Sequence, residues 1–170
     1  MQVEKYAQIR RCTQADITAM DAIINEASLA YRGVIPEDCW HEPYMPTSEL
    51  LAEIAAGVDF WGWEARLGEL VGIMGIQKSR DAMLIRHAYV QPGSQGQGVG
   101  GILLGKLVEQ VTGLLLVGTW AAAGWAIRFY ERHGFRLVTE QEKNRLLSTY
   151  WTISPRQKET SVVLVREAAR

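Results

Sequence analysis

The stretch at residues 90–111 constrains the fold more than any other part of the sequence, because it joins a strand, a loop and a helix without interruption. A β-like run at 82–90 leads into a glycine-dense loop, which opens into an apolar pattern with no charge before Lys106. Six of the 16 glycines lie between Gly93 and Gly105. A loop needs so many glycines where its backbone approaches another group closely. Its N–H groups, with those of the helix start, predict a site for an anion, most often phosphate.

Length and composition are those of an ordinary globular protein. The chain has 170 residues, 48% hydrophobic and 22% charged, with a formal net charge of -1. We expect a single domain over residues 1–170, with its core at about 8–166, and no nucleic acid partner. Neither a long apolar run nor a charged-then-apolar leader is seen, so we expect no membrane span, no signal peptide and a cytoplasmic location. Cys12 and Cys39 lack metal-site spacing, and we expect no metal.

Hydrophobic periodicity and turn residues predict the order of the elements. Seven runs read as strands, at 8–12, 60–66, 70–77, 82–90, 114–120, 135–139 and 161–165. Helices are predicted to begin at Ile17 and at Thr47, to follow the glycine loop as far as Gly113, and to span 124–133. The segment at 140–160 carries the pattern of a short helix around Leu146 and Leu147. The apolar strand at 114–120 should pair in parallel with the one at 82–90 through a right-handed crossover.

Three motifs overlap in the glycine loop and imply different ligands. Residues 96–101 fit the dinucleotide pattern G-x-G-x-x-G between a strand and a helix. That pattern calls for an acid at the end of the next strand, where this chain has Thr119 and Trp120. Residues 100–106 fit the start of a P-loop, but Leu107 stands in place of the Ser or Thr that binds magnesium. The P-loop is therefore discarded, and the dinucleotide site is kept as the weaker alternative.

The third motif, Gln95-Gly96-Gln97-Gly98-Val99-Gly100, has the form Gln/Arg-x-x-Gly-x-Gly/Ala. Together with residues 126–135, which read Ala-Ile-Arg-Phe-Tyr-Glu-Arg-His-Gly-Phe, it resembles the two signatures of the GCN5-related N-acetyltransferases, the GNAT superfamily. The order of elements agrees over nearly the whole chain. The resemblance implies a mixed α/β (α+β) GNAT fold, a mostly antiparallel twisted sheet of about seven strands flanked by about four helices. Two parallel central strands would splay around the acetyl-CoA site.

The resemblance implies acetyl-CoA as the acyl donor and direct transfer of its acetyl group to a primary amine. The pyrophosphate would lie on loop N–H groups and the pantetheine arm along the end of the entering strand. These contacts map to Gln95, Gly96, Gln97, Gly98, Val99 and Gly100, and to Ala88, Tyr89 and Val90. A strand amide would polarise the thioester carbonyl. The family commonly has Asn where this chain has Ala123, so no contact is assigned there.

Two residues are the first candidates for acid–base chemistry. Tyr130 matches the family tyrosine that meets the leaving thiolate as general acid. His87 is the first candidate for the base, because it lies beside the proposed thioester contact and imidazole titrates near neutral pH. Strand alternation leaves open that it points away from the acceptor. Glu26, His41, Glu64 and ordered water stay open as alternatives.

The acceptor is expected to be a small-molecule or peptide amine held by aromatic side chains. The candidate residues are Tyr31, Trp63 and Trp151. Acidic residues are sparse in the segments that contain them, which are residues 31–45, the strand at 60–66 and residues 150–151, and this argues against a strongly polycationic acceptor. Apolar surface near the C-terminal strands is compatible with a homodimer. A different class stays open, a non-catalytic acyl-CoA-binding module in which the loop binds its ligand and Tyr130 is structural.

Overall fold

One mixed sheet organises the computed structural model, which describes residues 8–66 and 68–167. Its seven strands are β1 (Gln8–Arg11), β2 (Asp59–Arg66), β3 (Glu69–Ser79), β4 (Ala82–Val90), β5 (Leu114–Trp120), β6 (Arg136–Leu137) and β7 (Ser161–Glu167). They lie in the order β1-β2-β3-β4-β5-β7-β6. All neighbours are antiparallel except β4 and β5, which are parallel. The predicted fold is confirmed, and a doubly wound dinucleotide domain, which needs a mostly parallel sheet, is wrong.

Six α-helices accompany the sheet in the described part of the chain, where about four were expected. They are α1 (Ile17–Ala27), α2 (Thr47–Ala55), α3 (Val99–Val108), α4 (Gly124–Arg132), α5 (Glu140–Tyr150) and α6 (Pro155–Thr160). Helices α5 and α6 both form in the segment at 140–160 because each is preceded by a residue that caps its N-terminus. Thr139 Oγ1 accepts a hydrogen bond from the Glu142 N–H at 3.2 Å, and Ser154 Oγ accepts one from the Gln157 N–H at 3.1 Å. None of the helices described is long and apolar enough to cross a membrane.

Other element boundaries differ by a few residues from the sequence prediction. The strand predicted at 135–139 shortens to β6, because the chain turns into the cap of α5. Helix α3 ends at Val108 in a turn before Gly113. In the hairpin predicted between β2 and β3, Gly68 has a φ of 76°, while Leu67 lies outside the described residues.

Strand β4 bends away from β5 part-way along its length. Its pairing with β5 covers only Ala82–Ile85 against Leu114–Val117. Two β4 residues, His87 and Ala88, then stand opposite one residue of β3, a β-bulge in which His87 has a φ of 55°. Such a φ is uncommon for a residue with a side chain and stores backbone strain. The carboxyl ends of β4 and β5 therefore diverge and leave a gap in the middle of the sheet.

The core fills both faces of this sheet. On one face α3 and α4 cover alternate residues of β3, β4 and β5, with Leu103 and Leu107 of α3 fully buried. On the other face α1 and α2 pack over β2 and β3, and α5 packs over β5 and β7. Because α3 starts at the glycine loop, its buried leucines fix that loop against the sheet.

We expect Leu103→Ala to lower the free energy of unfolding by about 2–5 kcal/mol, because the removed atoms leave a cavity beneath α3. The neighbouring Ile102 is 43% exposed on the same helix, so Ile102→Ala should change stability by no more than about 0.5 kcal/mol. Urea denaturation of the two variants measures the difference. Equal effects would contradict the packing described for α3.

Candidate active site

Two cavities meet at the gap between β4 and β5. The larger, of about 640 Å³, runs along β4, the glycine loop, the start of α3 and one face of α4. The smaller, of about 180 Å³, lies between the diverging strand ends and is closed by residues of α5 and α6. The residues that line both are Tyr31, Ala88, Tyr89, Ala126 and Tyr130. This junction is the place where groups held in the two cavities would meet.

The glycine loop presents a row of unpaired backbone donors. Within residues 8–66 and 68–167, the N–H groups of residues 96–101 donate to no protein acceptor. Gly96 and Gly98 have φ values of 78° and 82°, which favour glycine and turn the chain so that successive N–H groups converge. The start of α3 adds partial positive charge. Gln95 Nε2 donates to the Val90 carbonyl at 3.0 Å and ties the loop to the end of β4.

Two further glycines let α4 approach the loop. A Cβ at Gly100 would lie 3.4 Å from the Phe129 ring, and one at Gly101 would lie 2.9 Å from His133 Nε2. Larger residues would push α4 outward and widen the cavity. His133 is itself held by a 2.7 Å hydrogen bond between Nδ1 and the Phe129 carbonyl.

The structure brings the predicted donor-site residues together. Eight of the nine line the larger cavity, and Gln97 contributes an unpaired N–H while its side chain is exposed. Sequence reasoning missed the wall opposite the loop, formed by Trp125, Phe129 and Arg132 of α4 and by His133 directly after it. Their spacing on α4, the helix that also carries Tyr130, is the signal that would have found them.

Tyr130 lies at the junction of the two cavities. Its side chain is 5% exposed and packs edge-on against Phe129 and Phe135, with ring centroids 5.1 and 5.3 Å away. Burial, and to a smaller extent the nearby Tyr31, raises the pKa of its hydroxyl well above the usual range. Among the described residues no hydrogen-bond partner is found for this hydroxyl, yet it is not sealed from solvent. It is therefore a protonated donor that faces open space.

His87 lines the smaller cavity, with its ring fixed from behind. Its Nε2 lies 3.0 Å from Glu53 Oε2, which also accepts a 2.8 Å hydrogen bond from Arg86. The hydrogen bond from His87 and the charge of Arg86 hold the pKa of Glu53 below its usual range. An ionised carboxylate only accepts, so His87 Nε2 carries a hydrogen. The ring also stacks on Phe60 at 6.1 Å.

The other candidate bases lie outside both cavities. Glu64 accepts from Arg10 and from the Gly68 N–H at 2.9 Å, and the hydrogen bond with Arg10 holds its pKa below the usual range. Glu26 is exposed on α1, and His41 is exposed in the loop before α2. Of the four side chains considered, only His87 reaches a cavity.

The predicted acceptor residues separate in the structure. Tyr31 lines both cavities and Trp151 lines the smaller one, whereas Trp63 on β2 packs beside the core beneath α3. Sequence reasoning expected the segment at 31–45 to contact the acceptor without singling out Tyr44, and it missed Trp120. Both residues line the smaller cavity and are joined by a 2.7 Å hydrogen bond from Trp120 Nε1 to Tyr44 Oη. The position of Trp120 at the carboxyl end of a central strand was the available signal.

Comparison with known proteins identifies the fold and a domain match in the middle of the chain. Residues 56–137 match the acetyltransferase (GNAT) domain. The PaiA N-acetyltransferase of Thermoplasma acidophilum, solved in complex with coenzyme A, has a TM-score of 0.71 at 16% identity, over 95% of this chain and 99% of that one. The ribosomal-protein-S18-alanine N-acetyltransferase of Escherichia coli has a TM-score of 0.68 at 17% identity, over 96% and 95% of the two chains.

An acetyltransferase of Streptococcus agalactiae has a TM-score of 0.73 at 14% identity, over 96% of this chain and 99% of that one. No curated protein matches the sequence. The domain match spans the glycine loop and α4, the two elements that form the larger cavity. Residues 56–137 therefore form an acetyltransferase (GNAT) domain, in a chain that has the fold of solved N-acetyltransferases.

Proposed function

We propose that this chain, as a single catalytic domain, transfers the acetyl group of acetyl-CoA to a primary amine by direct attack. The observation that carries the proposal is the row of N–H groups at residues 96–101, which open towards the larger cavity without protein acceptors. A pyrophosphate satisfies such donors without any lysine, because the helix start supplies the positive potential. Coenzyme A in the PaiA structure of the same fold supports this choice of ligand.

The pantetheine arm takes the place that β5 leaves vacant. Within the described residues, the edge of β4 that faced β5 has no strand partner beyond Ile85. Apart from the Val90 carbonyl, which accepts from Gln95, the N–H and C=O groups on that edge of Ala88–Val90 are therefore free to bind the amides of the arm. An added strand in this gap would carry the thioester from the loop to the junction beside Tyr130. One amide of β4 then stabilises the oxyanion that forms on the thioester carbonyl.

The transfer itself uses groups from both cavities. A neutral amine held in the smaller cavity attacks the thioester carbon, a C–N bond forms, and the C–S bond breaks to release the thiolate of coenzyme A. Tyr130, kept protonated by its raised pKa, donates a hydrogen bond to the departing sulfur. His87 accepts the amine proton at Nδ1, with Glu53 holding the ring through Nε2. Because Glu53 is itself bound to Arg86, it orients the imidazole without taking the proton.

One observation favours a second candidate, a non-catalytic acyl-CoA-binding module. Ala123 precedes α4 at the position where the family commonly has Asn, and it is fully buried with no side-chain acceptor for the helix start. The pantetheine arm loses one polar contact there. Turnover of an amine separates the two candidates, because a binding module releases no thiol.

We expect Gly98→Ala to weaken the affinity for coenzyme A roughly tenfold, because a side chain at a φ of 82° is strained by about 1–2 kcal/mol. Gly105→Ala is the matched control on the exposed face of α3, where a Cβ meets nothing within 4 Å. Isothermal titration calorimetry measures both affinities. An unchanged affinity for Gly98→Ala would contradict the role of the loop.

We expect Tyr130→Phe to lower kcat about 100-fold or more while leaving the affinity for coenzyme A unchanged, because only the hydrogen bond to the leaving sulfur is lost. The pH profile between about pH 6 and 9 should keep its shape, since the raised pKa keeps the wild-type hydroxyl protonated throughout. Tyr150→Phe removes a hydroxyl bound to Asp81 outside both cavities and serves as control. Thiol release measures the rates. Equal, measurable kcat values for Tyr130→Phe and the wild type would contradict the acid role of Tyr130, whereas coenzyme A binding without thiol release in either protein would favour the binding module.

A further inference from the structure

We infer, resting on the function proposed above, that the smaller cavity selects a primary amine carried on one uncharged apolar or aromatic group of about benzene size. Amines with a second cationic group are rejected. The inference comes from three observations: the charge of the side chains that line the cavity, the hydrogen bonds that already occupy the Glu53 carboxylate beside it, and the cavity volume.

The described residues that line the smaller cavity include no Asp or Glu. Its basic side chains are Arg86 and His87. The other polar groups are uncharged and belong to Thr119, Gln157, Ser161 and the hydroxyls of Tyr31, Tyr44, Tyr89 and Tyr130. An ammonium or guanidinium group that entered this space would lose its hydration without gaining a counter-ion. The reacting amine escapes this penalty because it enters the reaction as the neutral base.

The carboxylate that binds two of the lining side chains cannot supply the missing charge. Glu53 lies behind the cavity wall, where its Oε2 accepts from Arg86 at 2.8 Å and from His87 at 3.0 Å. Arg86 is fixed on its other side by a 2.7 Å hydrogen bond to Gln77 Oε1. The wall next to the acceptor therefore presents the Arg86 guanidinium and the His87 imidazole, and no free carboxylate that could pair with a second cation.

Aromatic rings form the rest of the wall. Tyr31 and Tyr44 lie 5.4 Å apart from centroid to centroid, and Trp120 is tied to Tyr44. Trp151 closes the opposite side, 3.6 Å from where a Cβ would stand at Gly118. A cavity of about 180 Å³ is close in size to one that holds benzene, about 150 Å³. These walls match a single ring or a short alkyl chain.

The test compares two amines of equal length that differ in one charge. n-Hexylamine and 1,5-diaminopentane present the same reacting end, but the diamine carries a second ammonium in place of a methyl group. We expect wild-type kcat/KM to be at least about tenfold higher for n-hexylamine, and phenethylamine to be acetylated at least as well. Release of free thiol from acetyl-CoA gives the rates.

A variant at the mouth of the cavity changes the charge directly. Gln157 lines the cavity from α6 and is exposed, so Gln157→Glu adds an acid without disturbing the core. We expect it to reduce the preference for n-hexylamine over the diamine about fivefold or more. Gln110→Glu makes the same chemical change after α3, outside both cavities, and should leave the preference unaltered.

The outcomes separate this inference from the proposed function. A diamine acetylated as well as n-hexylamine overturns the inference and leaves the acetyltransferase in place. The inference is also overturned if coenzyme A binds in calorimetry but acetyl-CoA releases no thiol when n-hexylamine or phenethylamine is the acceptor. Failure to bind coenzyme A contradicts the proposed function instead.

Discussion

The early end of the pairing between β4 and β5 is the constraint on which the rest of the structure depends. Parallel contacts run from Ala82 to Ile85 on one strand and from Leu114 to Val117 on the other, and there they stop. Strand β4 stays paired with β3, and β5 stays paired with β7, so the gap lies in the middle of the sheet rather than at an edge. Backbone groups left free there are costly, and the extended ligand arm proposed above would satisfy them. The cavities, the junction at Tyr130 and the proposed path of pantetheine all follow from this gap.

The gap persists because neighbouring elements oppose its closure. The bulge at His87 turns β4 outward, and Glu53 of α2 holds both Arg86 and His87 in that bent course. Gly75 on β3 is needed opposite the bulge, since a Cβ there would lie 2.8 Å from the Arg86 carbonyl oxygen. The backbone strain at His87 is thus offset by the two charge-assisted hydrogen bonds to Glu53 and by packing of the His87 ring on Phe60.

The sequence was sufficient for the parts of the site that depend on local order. The glycine loop, its helix and the parallel strand follow from spacing within one contiguous stretch, and the loop residues line the larger cavity as expected. Side chains brought together from distant segments were not predictable in the same way. The bulge shifts the alternation of β4, so the contact between His87 and Glu53 follows from no simple period. The alternation of side chains along β2 directs Trp63 to the sheet face that α3 covers. Tyr44 reaches the smaller cavity from a loop, and no sequence pattern specifies the course of that loop.

The central claim is that the N–H groups of residues 96–101 hold the anionic part of coenzyme A, and amide NMR observes those groups directly. In a ¹H–¹⁵N titration with coenzyme A, we expect the amide resonances of this segment to shift most, with downfield proton changes as each N–H gains an acceptor. Resonances of the distant β1 strand should stay in place. Binding that shifts other regions and leaves residues 96–101 unchanged would contradict the account.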